Sequence, residues 1–277
     1  MKFNIPFNIF FSIFFLFLFK AHSQPLYVIH TNGIIQNLTA GDTLKVGSKI
    51  NLEDKLLFKA PNAVAAVIDP QKGRFTICAD SLKNENNEIE FVSFVKDCFF
   101  LSQKRVSTRG GVINNFVDLQ NHFSKRRYLI LDTLKISINP ETFPMSKNTF
   151  FYVRYLYENE IVNKRLESVE NTLLISKETL FTIDGKEVPS QQVSDIKLYY
   201  YFTRGKDGDI KSLKICDFDP IFVDTAYLET QIELLISSLK PETEDEIENE
   251  VLCFLNEFYG VPNINNLRNW LRNNFVY

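Results

Sequence analysis

The side chains able to do chemistry are few and scattered. Three histidines and four cysteines occur in 277 residues. Asp207-Gly208-Asp209 and Asp217-Phe218-Asp219 each set two carboxylates two residues apart, a spacing that can hold a divalent cation. Both pairs fall in expected turns. Asp is favoured there because it bonds its own backbone, so turn residues are the expectation for each pair. A Ser–His or Cys–His hydrolase needs a nucleophile, a base and an orienting group brought together. His30 ends an expected strand and His122 lies near a basic stretch, so both read as surface or turn histidines. No G-x-S-x-G, H-E-x-x-H or glycine-rich phosphate loop occurs. Ten glycines, several of them in turns, leave little for a nucleotide cradle. No catalytic residue, metal ligand or cofactor is assigned.

Cys78, Cys98, Cys216 and Cys253 contain no CxxC pair, which argues against zinc. In an oxidising compartment four cysteines permit two disulfides in three pairings. Nearest-neighbour pairing gives Cys78–Cys98 and Cys216–Cys253. Four buried thiols are the alternative. Tyr199-Tyr200-Tyr201-Phe202 is the aromatic run of most interest. In a strand Tyr199 and Tyr201 point one way, Tyr200 and Phe202 the other. Tyr199 and Tyr201 are the candidate interaction surface, for a partner protein or a glycan. The competing expectation is that both faces are covered. Lys125-Arg126-Arg127 reads as a strand-entry surface patch, and Glu242–Glu250 as a solvated helix start.

Residues 1–23 have the three parts of a secretory signal. Lys2 supplies the positive end, Ile9–Phe19 is apolar but for Ser12, and Ala21-His22-Ser23 precedes Gln24 with small residues at −3 and −1. The apolar run is shorter than the ~20 residues a spanning helix needs. No cysteine precedes Cys78, which disfavours a lipoprotein. The expected mature chain starts near Gln24 and is long enough for two ordinary domains. The net charge of −3 gives no electrostatic case for nucleic acid or anionic lipid. No second long apolar run follows, so no membrane span is expected in the mature chain.

Positioning these residues falls to a β-rich chain with a helical end. Short branched or aromatic segments such as Leu26–His30, Ala63–Ile68 and Arg74–Cys78 are separated by turn residues. That rhythm predicts a small sandwich or barrel over 24–101. Phe91–Leu101 reads as one further strand. Ser102–Gly111 is polar, basic and glycine-ended, and reads as a linker. A second sheet is expected over 128–216, with a hairpin turn at Asp184-Gly185. Phe150–Tyr157 is apolar on both alternating faces, so cover on both is expected. Leu228, Ile232, Leu235, Ile236 and Leu239 form one helical stripe; Ile247, Val251, Phe254, Leu255 and Phe258 form another. Asp224 caps the first and Lys240-Pro241 ends it. Gly260 and Pro262 end the second, and Asn263 caps a third helix. The fold class is α+β, mainly β. The second domain, 112–277, is a sheet covered by a helical hairpin plus a third helix over 224–275.

The first domain resembles the FecR-type periplasmic domain. The residues that carry this are Val28-Ile29-His30 leading to Gly33, then Gly41-Asp42-Thr43-Leu44-Lys45-Val46-Gly47, Ile50, Ala63–Ile68 and Arg74–Ile77. The resemblance spans Leu26–Cys78 and implies a small β-sandwich with a protein-binding habit. Spaced glycines with alternating apolar residues also fit SH3-like domains. FecR-type proteins relay a signal from an outer-membrane transporter to a cytoplasmic sigma factor through a membrane span. Here a cleavable signal stands where that span would be, so fold and binding are what carry over. The second half resembles no named family.

The expected function is a secreted cell-envelope protein, in the periplasm or at the cell surface. It acts as a non-enzymatic binding or scaffold module for another envelope protein. The alternative is an envelope hydrolase using paired carboxylates, distant in sequence, on glycans.

Overall fold

The computed structural model describes residues 25–79, 91–95, 99–101, 110–123, 127–204 and 209–275. The expected signal segment 1–23, Cys98, most of the expected linker, Lys125-Arg126 and Asp207-Gly208 lie outside them. The chain divides into two compact units: Met1–Ser102 with Ser237–Leu239, and Gln103–Ile236 with Lys240–Tyr277.

The first unit holds β1 (Leu26–Asn32), β2 (Ile35–Asn37), β3 (Asp42–Thr43), β4 (Lys49–Ile50), β5 (Lys55–Phe58), β6 (Val64–Asp69), β7 (Gly73–Cys78), β8 (Phe91–Phe94) and β9 (Phe99–Leu101). They form two sheets, β4-β1-β6-β7-β9 and β3-β2-β5-β8, with no closed barrel. Leu26, Val28, Ile50, Leu56, Phe58, Val67 and Ile77 share one core. Gly33 turns the chain between β1 and β2 at φ +83, and a Cβ there would sit 2.9 Å from that of Ala63. A left-handed backbone and a close neighbour both require glycine at this point. Phe91–Leu101 is not one strand. Phe91–Phe94 pairs with β5 in one sheet, and Phe99–Leu101 with β7 in the other. Lys96-Asp97 interrupts the run in the sequence, but which sheet each end joins is set by the partner strands.

In the second unit α1 (Phe116–Phe123) precedes β10 (Tyr128–Ile130), β11 (Thr133–Ser137), β12 (Phe150–Tyr157), β13 (Glu160–Arg165), β14 (Glu167–Val169) and β15 (Thr172–Ser176). Then come α2 (Lys177–Phe181), β16 (Thr182–Ile183), β17 (Lys186–Glu187), β18 (Val193–Arg204), β19 (Asp209–Asp217) and β20 (Pro220–Phe222). The chain closes with α3 (Thr225–Leu239), α4 (Glu244–Phe258), β21 (Val261–Pro262) and α5 (Ile264–Asn274). The largest sheet is antiparallel, ordered β13-β12-β18-β19. Glu158 and Asn159, both at positive φ, make the two-residue turn between β12 and β13. Asp184-Gly185 does the same between β16 and β17, as its sequence predicts. A smaller antiparallel sheet, β11-β15-β14, stands apart from a parallel one in which β10 lies between β20 and β21.

Helix ends follow the residues. Asp224 accepts from Tyr227 N–H at 3.1 Å, and Lys240 closes α3 in the left-handed conformation. Thr243 caps α4, and Glu246 reaches back to the Glu242 N–H at 2.8 Å. The acidic run is thus a helix start, where carboxylates suit the dipole. Asn263 accepts from Asn265 and Asn266 N–H at the head of α5. The inner face of the largest sheet, with Phe151, Val153, Tyr155, Leu198 and Tyr200, shares its core with α1, α2, β11 and β15. Helices α4 and α5 lie against β21 and β11. The cover of the second unit is therefore split among more elements than the C-terminal stripes alone suggest.

Candidate binding surface

The outer face of the largest sheet is where aromatic rings and cations meet. Pairing sets Phe150 opposite Tyr201 and Tyr152 opposite Tyr199. It also sets Arg165 beside Tyr152, and Asn163 beside Arg154. Strand periodicity then puts all of these on one face, opposite Phe151, Val153 and Tyr200. Tyr152 and Tyr199 stack at 5.1 Å between centroids and 14° between planes; Phe150 and Tyr201 stack at 4.7 Å and 18°. Arg154 lies over the Tyr199 ring at 5.2 Å and Arg165 over the Phe150 ring at 4.3 Å. Both are within cation–π range.

The arginines are held in place from the side. Arg154 Nε donates to Asn163 Oδ1 at 2.9 Å. Arg165 donates to the carbonyls of Ser146 at 2.9 Å and Lys147 at 3.3 Å. Among the described residues neither guanidinium meets a carboxylate. The lysines of this face differ. Lys197 pairs with Asp195, and Lys214 with Asp217 at 2.7 Å. The bond from Lys214 holds the Asp217 carboxyl below its usual range. Tyr152 shares a 2.6 Å hydrogen bond with Ser212. Beyond Arg154 the face turns apolar, with half-buried Leu156 beside Ile161, which is 61% exposed. The result is a sheet surface of stacked rings, two guanidiniums that meet no described carboxylate, and an apolar end.

Tyr199 and Tyr201 are half-buried on this outer face, and Tyr200 lies in the core with its hydroxyl donating to Pro144 O at 2.7 Å. Burial pushes the Tyr200 phenol up. The outer rings pack on each other and on the two arginines, and Tyr152 is only 7% exposed. That accounts for the doubly apolar pattern of Phe150–Tyr157. Phe150, Tyr152, Arg154 and Arg165 escape a reading of single residues, because their meeting depends on register between strands.

The other candidates resolve differently. His30 and His122 are buried, at 8% and 7% exposure, not surface or turn residues. His122 Nε2 lies 2.8 Å from the Tyr128 hydroxyl, among Phe123 and Phe218. Asp217 and Asp219 are exposed turn-side residues; Asp217 holds Lys214, and the Asp219 carbonyl accepts from Tyr128 N–H at 2.7 Å. Among the described residues no group of three or more His, Cys, Asp or Glu could hold a metal. Cys78, Cys216 and Cys253 carry thiols, so the expected Cys216–Cys253 bridge is not formed. Cys216 packs in the sheet core, while Cys253 sits on α4. Cys98, the expected partner of Cys78, lies outside the described residues. No helix among the described residues is long and apolar enough to cross a membrane. Comparison with protein-family models, curated proteins and solved structures found no match.

Proposed function

We propose that this chain is a secreted cell-envelope binding module whose outer sheet face takes an acidic, aromatic-containing segment of a partner protein. The observation that carries the reading is the pair Arg154 and Arg165. Each is pinned over a ring with its guanidinium edge unpaired by any described carboxylate. A guanidinium fork matches a carboxylate in two parallel hydrogen bonds, and its being already placed lowers the ordering cost of binding. Tyr and Arg are also the residues enriched where partners bind. The signal pattern of residues 1–23 supports delivery to the periplasm or cell surface. A FecR-like first domain, with its protein-binding habit, fits the same role. The hydrolase reading draws no comparable support. The described carboxyls whose titration shifts, Asp217 and Glu178, move downward, away from what a general acid needs.

The test is a fluorescence-anisotropy titration with labelled peptides alternating Glu and Phe, against a Lys and Phe control. The acidic peptide should bind, weaken with salt, and lose about ten-fold in affinity in Arg154→Ala/Arg165→Ala. Equal binding of both peptides, or of the acidic peptide to both proteins, refutes the proposal.

A further inference from the structure

A cleft in the same unit shares no lining residue with the aromatic face. It holds about 380 Å³ and runs between the β10–β11 turn and α5, lined among others by Leu131, Thr133, Lys135, Asn269 and Trp270. We propose that this cleft binds an extended polypeptide segment, which adds to the open edge of β11 and is read on its other side by the asparagines of α5.

Strand β11 is an edge: β15 pairs on one side, and among the described residues no strand pairs on the other. The open side can be identified. Thr133 O accepts from Asn266 Nδ2 at 3.3 Å, and Ser137 O accepts from Ile113 N–H at 3.0 Å. Residues two apart in a strand direct their backbone groups the same way. The N–H and C=O of Lys135 therefore point to that side, between the two blocked carbonyls. An adding strand needs such a donor and acceptor at one residue.

The opposite wall carries a matching ladder. Asn265, Asn269 and Asn273 stand four residues apart on one stripe of α5, all exposed and all lining the cleft. Four helical residues rise about 6 Å, close to the roughly 6.7 Å of two residues in an extended chain. Each carboxamide offers one acceptor and a donor pair, which a peptide unit can answer in both directions. The molecule already does this once. Asn266 accepts from Leu131 N–H at 3.0 Å and donates to Leu131 O at 2.8 Å.

A residue of the cleft wall also carries an unanswered donor. Trp270 is 3% exposed, and its indole N–H has no hydrogen-bond partner. A buried donor without an acceptor costs free energy, and it marks the Trp270 wall as one where a small shift of the ring would let the N–H find an acceptor. Lysine, arginine and asparagine dominate the lining polar groups, so the cleft suits peptide carbonyls better than an apolar ligand.

Trp270 is the only tryptophan, so its indole N–H gives one unambiguous cross-peak in a nitrogen–proton correlation spectrum. The probe is an acetylated, amidated Thr-Val-Thr-Val-Thr peptide, compared with the same peptide N-methylated at alternate amides. The unmodified peptide, titrated to about 5 mM, should move the Trp270 indole peak and the Lys135 amide peak together, and the methylated peptide should move neither. Asn269→Leu/Asn273→Leu, on the exposed stripe, should weaken the response about five-fold or more. Movement by both peptides equally, no movement, or movement confined to the β13 or β19 edges overturns the proposal. So does a response to a neutral oligosaccharide without one to the peptide. Because Arg154→Ala/Arg165→Ala leaves this cleft intact, failure here is separable from failure of the acidic-peptide reading.

Discussion

Replacing Asn266 by alanine tests how the β10–β11 turn is held. The turn passes through Asp132 at φ +52, an uncommon conformation for a residue with a side chain. Asn266, on α5, bridges to it with three bonds: from Leu131 N–H at 3.0 Å, to Leu131 O at 2.8 Å and to Thr133 O at 3.3 Å. Two of the three have ordinary lengths, and each such neutral bond is worth about 1 kcal/mol net. Removing the side chain also leaves the Leu131 N–H buried without an acceptor, a penalty of about 1–3 kcal/mol that water entering the cleft would soften. The expected cost is therefore about 2–4 kcal/mol. Urea unfolding followed by tryptophan fluorescence measures it, because the single tryptophan, Trp270, sits on the same helix and reports on the second unit alone. With a slope near ~2 kcal/mol/M, the midpoint should fall by about 1–2 M at unchanged slope. Asn266→Asp should cost at least as much near neutral pH, since it turns a carboxylate oxygen toward two carbonyls. Its deficit against the parent should shrink as acid protonates it. A midpoint shift below about 0.3 M for the alanine variant would refute the reasoning.

Gly260→Ala should destabilise the second unit by about 2 kcal/mol or more, seen as a lowered melting temperature. Gly260 lies at φ +142, and a Cβ there would come within 2.7 Å of the Arg127 carbonyl, which accepts from Val261 N–H. A double-mutant cycle on Phe150→Ala and Tyr201→Ala should return a coupling of about 0.5–1.5 kcal/mol, as expected for rings stacked in contact. A coupling near zero would mean the pair merely shares a face. Tyr259 donates its hydroxyl to Gln231 Oε1 at 2.6 Å, and burial pushes its pKa up to about 12. The native state therefore holds that proton more tightly than the unfolded chain. The resulting stability is complete below about pH 10 and is lost as pH rises through about 12. Tyr259→Phe should cost about 1 kcal/mol at neutral pH and lose less stability than the parent across that alkaline window, by urea midpoints at each pH.

The helical third of the fold was legible because its signals are local. Asp224, Lys240-Pro241 and Asn263 act within a few residues of themselves, and each stands at the helix end it marks. The Asp184-Gly185 turn is of the same kind. Long-range pairing was not legible. Lys96-Asp97 divides Phe91–Leu101, yet nothing within the segment says which sheet each end joins, since that choice is made by β5 and β7. The histidines were misread because their burial depends on distant partners, as with Tyr128 for His122. Tyr199 and Tyr201 were legible as a pair on one face. The arginines above their neighbours were not, because Arg165 reaches Phe150 only through the register of β13 on β12. The asparagine ladder of α5 is written plainly at 265, 269 and 273, yet it means nothing until β11 faces it.

The placing of β10 has a consequence for the order in which the molecule can form. Its partners, Pro220–Phe222 and Val261–Pro262, come roughly ninety and one hundred and thirty residues later in the chain, and both pair with it in parallel. Parallel pairing over such separations must wait for the intervening chain and is slow to close. On a ribosome, Tyr128–Ile130 would emerge with neither neighbour yet made, and would remain an unsatisfied, fully apolar edge through most of the synthesis of the unit. Completion of the second unit is thus timed by its last two elements. A nascent chain halted before Val261 should be the species that most needs a chaperone.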